Sequence, residues 1–321
     1  MPSRFLAPVG VLGALAAPAM AGPQVATDIA PLHSLVARVM AGAGEPALIV
    51  PPGASPHGHA LRPSEAAALD RAEIVFWMGE GLTPWLEDAI GTLAGDAHVI
   101  ELLGADGSTV LAFREGLEFT PSEAGHGHDM PGHAAHTAKD EDGHEAHDHE
   151  GADPHAWLDP ANARAWLALI AGELARHDPD NAALYAANAA EAVAELSALE
   201  AGISARLDAV RDVPYLVFHD AYQYFESRFG VAPAGALALS DAADPGPARI
   251  AALRDLARDR GVACVFTEPQ FAGARVRAVF GDTVRHGVLD PLGSAYTPGA
   301  GLYPALLEDM AAALVDCLGG S

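Results

Sequence analysis

Four separated stretches of this chain carry side chains able to ligate a metal ion: "GASPHGHALRPS" with His57 and His59, "DPHAWLDP" with His155, "VFHDAY" with His219, and "VLDPLG" with Asp290. Neutral imidazole and carboxylate together suit zinc, which is held tetrahedrally by three or four protein groups. No two of these stretches lie at helical ligand spacing, so any site they form has to be assembled by the fold. Taken singly, each histidine reads as readily as a surface residue beside a turn, and spacing alone does not establish convergence. Catalytic motifs are missing. "HEAH" at 144–147 is one residue short of H-E-x-x-H, and there is no G-x-S-x-G elbow or P-loop. "GAGEPA" at 42–47 mimics G-x-G-x-x-A but precedes a strand instead of following one.

A denser cluster lies at residues 126–150. His126, His128, His133, His136, His144, His147 and His149 are seven of the chain's fifteen histidines. They sit among Asp, Glu, Gly and Ala with no hydrophobic period. Such a segment gathers cations weakly, because holding one ion in a fixed tetrahedron would cost heavily in ordering entropy.

The elements that must position the separated ligands alternate. "PQVATDIA", "PALIVPPG", "EIVFWMG" and "AHVIELL" read as strands. Between them "PLHSLVARVMAG", "RPSEAAALDRA" (Ser64 as N-cap) and "TPWLEDAIGTLA" read as helices. From about Gly104 to Asp153 the pattern fails and a long loop is expected. Then "DPANARAWLALIAGELARH" and "DPDNAALYAANAAEAVAELSALEAGISARLDAV" read as helices, the second of about thirty residues, or roughly 45 Å at 1.5 Å per residue. Alternation resumes with the strands "PYLVFHD", "VACVFTEPQ" and "TVRHGVLDPLG" and the helices "AYQYFESRFG", "PGPARIAALRDLARDRG", "AGARVRAVFG" and "LYPALLEDMAAALVDCLGG". The pattern predicts an α/β chain with two Rossmann-like βα lobes joined by a long helix, with ligands expected outside the carboxyl ends of the strands. The expected division is residues 22–177 for the first lobe (with the His-rich loop at 115–153), 178–211 for the linking helix, and 212–321 for the second lobe.

At 321 residues and 50% hydrophobic, the chain can bury a sizeable core. Its formal charge of −25, with 18 Lys and Arg against 43 Asp and Glu, disfavours nucleic acid or an anionic membrane as partner and favours cations. Residues 1–21 set Arg4 before an apolar run and end in the small-x-small triplet Ala19-Met20-Ala21. That is a secretory signal, with cleavage expected after Ala21 and the mature protein in the periplasm. In that oxidising compartment the only two cysteines, Cys264 and Cys317, read as one disulfide.

"GASPHGHALRPS", "DPHAWLDP", "VFHDAYQYFE", "CVFTEPQF" and "VLDPLGSAY", in this order and with a His-rich loop between the first two, resemble the periplasmic zinc-binding proteins of ABC importers, the ZnuA-like (cluster A-I, or cluster 9) metal-binding family. The resemblance covers nearly the whole mature chain. It implies that the long linking helix is rigid, a Zn²⁺ ion carried between two lobes, delivery to an inner-membrane permease driven by a cytoplasmic ATPase, no catalysis, and a monomer. Carried over by motif, His57, His155 and His219 are ligands. Manganese-binding relatives have Glu where His219 stands, and the nitrogen donor shifts the site toward zinc. Pro56 leaves no acid just before His57, so Asp290 or water closes the shell.

His59, where relatives often have an aromatic residue, is expected in the cleft wall or as an alternative ligand. His33 is expected in the loop after the first strand, either at the surface or toward the cleft. Asp220 and Glu268 follow strands and could accept the second ring N–H of a ligand histidine. The rival readings are a manganese or iron carrier, a periplasmic zinc hydrolase, and an adhesin or metal buffer in which only the loop matters.

Overall fold

The computed structural model describes residues 22–114, 119, 151–238, 246–270, 273–281 and 284–319. Residues 1–21, expected to be a signal segment, and the seven loop histidines lie outside these.

Two four-stranded, all-parallel sheets form the two lobes, as the alternating pattern predicts. In the first, β1 (Val25–Thr27), β2 (Ala47–Leu48), β3 (Ile74–Trp77) and β4 (His98–Glu101) run in the order β2-β1-β3-β4. The second repeats that order as β6-β5-β7-β8, with β5 (Tyr215–His219), β6 (Gly235–Ala238), β7 (Cys264–Thr267) and β8 (Arg285–Val288). The inner strands β1, β3, β5 and β7 are buried along their whole length and read as continuous apolar runs, which is what helices on both faces require. The strand β6 is not visible in the sequence pattern. "GALA" has little β propensity, and pairing with Leu216, Val217 and His219 of β5 makes it a strand.

The helices are α1 (Ala30–Val39), α2 (Pro63–Asp70), α3 (Pro84–Leu93), α4 (Pro160–His177), α5 (Ala182–Leu207), α6 (Gln223–Phe229), α7 (Pro247–Arg260), α8 (Gly273–Phe280) and α9 (Leu302–Leu318). The linking helix α5 is shorter than expected: a 3₁₀ turn at Pro179–Asn181 precedes its 26 residues, which span about 39 Å. It packs on α4, α1 and α9. One apolar core runs from Leu32 and Leu35 of α1 through Trp166, Leu196 and Ile203 to Phe225 and Leu307, so the lobes share buried surface. The last helix reaches back across the junction. Tyr303 donates its N–H to Ser34 Oγ at 3.0 Å and its hydroxyl to the Trp157 carbonyl at 2.6 Å.

Three local expectations change. The α2 helix starts two residues earlier, with Arg62 at its N-cap and Pro63 first in the helix. The Arg62 N–H is taken by Glu65 at 2.7 Å, so Ser64 is not the cap. His33 is not in a loop but inside α1, buried, 3.0 Å from the Pro46 carbonyl, with burial holding its pKa below the usual value. The stretch from Gly104 is not featureless either. Residues 111–113 pair antiparallel with 151–153, through Phe113 N to Gly151 O at 2.9 Å and Asp153 N to Leu111 O at 2.8 Å.

Cys264 of β7 and Cys317 of α9 form the expected disulfide, with Cα atoms 6.0 Å apart and a sequence separation of 53. In the chain-entropy description such a loop is worth about 4 kcal/mol. Cys317→Ser is therefore expected to lower unfolding free energy by about that amount, with Cys264→Ser showing the same loss, as measured by urea denaturation of the oxidised proteins.

Candidate metal centre

His219 is the last residue of β5 and points from the carboxyl end of the second sheet. His155 precedes a 3₁₀ turn (Ala156–Leu158) that leads into α4, and His57 sits in another (Pro56–Gly58) beyond β2 of the first lobe. One ring nitrogen from each of the three lies within 4.8 Å of the others, the only such group of three among the described residues. The ring centroids are 5.7 Å (57 to 155), 6.2 Å (57 to 219) and 4.9 Å (155 to 219) apart. With Pro56, Trp157, Glu268, Gln270, Pro291 and Leu292 they line a cavity of about 10 Å³, room for one ion or water. His155 and His219 are each only 3% exposed.

Each buried ring is oriented by a carboxylate. Asp153 Oδ1 accepts from His155 N at 3.0 Å and lies 2.7 Å from His155 Nδ1. Glu268 Oε1 lies 3.2 Å from His219 Nδ1, while its Oε2 accepts from Gln270 Nε2 at 2.6 Å. Holding Nδ1 this way fixes the tautomer, turns Nε2 to the cavity and makes the imidazole more basic. Burial pushes the Asp153 carboxyl up to about 7, against the lowering effect of the His155 N–H and the nearby Arg114 guanidinium.

The third ring is set by its turn. Trp85 Nε1 donates to the Pro56 carbonyl at 2.7 Å, and His59 lies 2.8 Å from Glu65 and edge-on to Trp85 at 5.5 Å. Below His155, the Trp157 ring lies at 5.3 Å, its Nε1 donating to the Pro291 carbonyl at 2.8 Å.

The other sequence candidates are placed elsewhere. His59 is held by Glu65 and His33 by Pro46, so neither joins the cluster. Asp220, expected beside a ligand histidine, instead pairs with Arg114, which also donates to Glu226 at 2.6 Å. Asp290 is not in the three-residue group. Its carboxylate closes its own turn, accepting from Leu292 N at 3.1 Å, Ser294 N at 2.6 Å and Ser294 Oγ at 2.8 Å. Asp153 was not singled out by sequence, although "DPH" carried a local signal: an Asp two residues before a candidate ligand can bond that residue's own backbone N–H. Exchanging the partners, Asp153→Asn and Glu268→Gln, is expected to weaken zinc binding by about 10- to 100-fold each with the fold retained. Competition against a chelator of known affinity, with circular dichroism alongside, checks this.

Residues 25–317 match the family described as zinc-uptake complex component A, periplasmic (ZnuA). The chain belongs to the ZnuA family. ZnuA relatives that carry the printed name high-affinity zinc uptake system protein include those of Paracoccus denitrificans (strain Pd 1222), 43% identical with 96% of each chain covered, and Brucella abortus (strain 2308), 43% identical with 98% of each covered. A solved structure titled as ZnuA superposes with a TM-score of 0.72 at 22% identity, covering 92% of this chain and 99% of that one. That likeness shows the same two-lobed ZnuA fold.

Proposed function

We propose that the protein captures Zn²⁺ in the periplasm and delivers it to an inner-membrane ABC permease powered by a cytoplasmic ATPase. It does so as a monomer released from its signal segment after Ala21, and performs no reaction on its cargo. The observation that carries this reading is the gathering of His57, His155 and His219 from three distant segments and both lobes around one ion-sized cavity. Three imidazoles suit a borderline cation better than the oxygen-rich sets that suit manganese.

His155 and His219 come from buried, tightly held backbone, whereas His57 stands on a short turn at the rim. Entry and release are therefore assigned to the His57 side. The fourth position falls to water or Asp290. The three hydrogen bonds that hold Asp290 in its turn favour water. The loop histidines at 126–149 are read as a low-affinity collector, or a sensor of zinc abundance, that feeds the separate tight site.

Protons compete with metal for imidazole nitrogen, whose reference pKa is about 6.5. Zinc affinity is expected to fall at least ~10-fold between pH 7.5 and pH 5.5 in chelator competition, because neutral imidazole is lost as pH drops through that range. An unchanged affinity would remove histidine from the ligand set.

A further inference from the structure

His98 and His177 lie at the other end of the first lobe, away from the cleft. His98 opens β4, so it stands at the amino end of a sheet whose ligand cavity is at the carboxyl end, and His177 closes α4. Their ring centroids are 5.4 Å apart, within the 4.9 to 6.2 Å range of the cleft histidines, and the planes are tilted by 35°. Both side chains come from exposed residues, while Glu173, between them, is buried.

The hydrogen bonds around Glu173 repeat the pattern of the cleft. His177 Nδ1 lies 3.0 Å from the Glu173 carbonyl, which can only accept, so Nδ1 carries the proton and Nε2 carries the lone pair. His98 Nε2 lies 3.2 Å from Glu173 Oε2, so a carboxylate fixes this tautomer too and assigns the lone pair to Nδ1. Each ring thus has one nitrogen committed to Glu173 and the other set up as a donor to a metal. Arg176 holds Glu173 Oε1 at 2.6 Å, which locks the carboxylate in place and brings a positive charge that keeps the affinity low.

We propose that His98 and His177 form a second, shallow site for a borderline divalent cation of the zinc, copper or nickel class, ligated by the two imidazoles and water with Glu173 orienting the rings. Imidazole pairs favour these metals over magnesium or calcium, which prefer oxygen. A bound ion would tie the edge strand β4 to the last turn of α4, just before the linking helix.

The test reads each histidine separately in the full chain, through its rate of modification by diethyl pyrocarbonate as measured by peptide mass spectrometry across a zinc titration. His155 and His219 should be protected at the first equivalent. His98 and His177 should then lose reactivity together, by about fivefold or more, at higher zinc, and magnesium at the same concentration should leave them reactive. In His98→Ala, the protection of His177 should disappear while that of His155 remains. Unchanged reactivity of His98 and His177 at saturating zinc overturns the site, as does persistent protection of His177 in His98→Ala. Either result leaves the reading of the cleft, reported by His155 and His219, intact.

Discussion

His155→Ala and His219→Ala are each expected to abolish tight zinc binding, with affinity falling by more than ~100-fold, beyond the 10- to 100-fold range expected for their carboxylate partners. Both rings are buried and oriented, and each supplies one of the three clustered donors found among the described residues. Loss of either leaves two imidazoles, and water must then fill two positions of a zinc tetrahedron.

His57→Ala should weaken binding as well, since the same group includes it. Asp290→Ala should cost less than ~10-fold if water is the fourth ligand, because only the turn at 290–294 is disturbed. Removal of residues 126–150 should leave the single tight equivalent in place. Competition titration with a zinc chelator distinguishes these outcomes. A His155→Ala protein that keeps tight binding, or a loop deletion that loses it, would transfer the site to the loop.

The second large effect is on stability. Arg114→Ala is expected to lower unfolding free energy by about 3–5 kcal/mol, the usual result of stranding buried charge. Arg114 bonds both Asp220 and Glu226, whose side chains are each 4% exposed, while Arg249 acts on Asp220 electrostatically; Arg114 also lies 3.9 Å over the Phe119 ring. Burial has already pushed Glu226 up to about 8, with Arg114 pulling the other way. Without Arg114 the Glu226 carboxyl is held further above its unfolded value. A carboxyl whose folded pKa is raised costs stability above its unfolded pKa and regains it as protons bind. The deficit against wild type should thus grow as pH rises past about 8, being larger at about pH 9, and shrink toward about pH 5. Arg114→Lys should recover part of it, since the charge returns without the two-pronged fork. Urea denaturation at the two pH values measures both. A loss below about 1 kcal/mol would mean that the cluster behaves as a surface pair.

Strand and helix alternation gave the two lobes directly, because parallel strands buried on both faces must be apolar throughout, as in "IVFW" and "CVFT". One helix end marked by Gly was equally readable. Gly230, at φ 67°, stops α6 where the sequence places the stop. The strand β6 was hidden because its residues carry no preference of their own. The antiparallel pairing of 111–113 with 151–153 was hidden because it joins two short segments across a long intervening stretch. The disulfide was readable for a simpler reason: only two cysteines exist to make it.

For the site, residue type and motif order were enough to name His57, His155 and His219, whereas their convergence belongs to the fold. Side chains nearly a hundred residues apart meet only once two sheets are set on a shared core. The carboxylates were the least legible part. Asp220 and Glu268 both follow strands, yet Glu268 faces the His219 ring and Asp220 faces Arg114. Which partner a buried acid finds is decided by the direction of its Cβ and by the nearest donor, and neither is written in spacing. The sequence by itself determined the fold class, the acidic field and the donor types. Tertiary structure alone decided which donors share one ion-sized cavity, because that depends on long-range packing of apolar faces that carry no local record of one another.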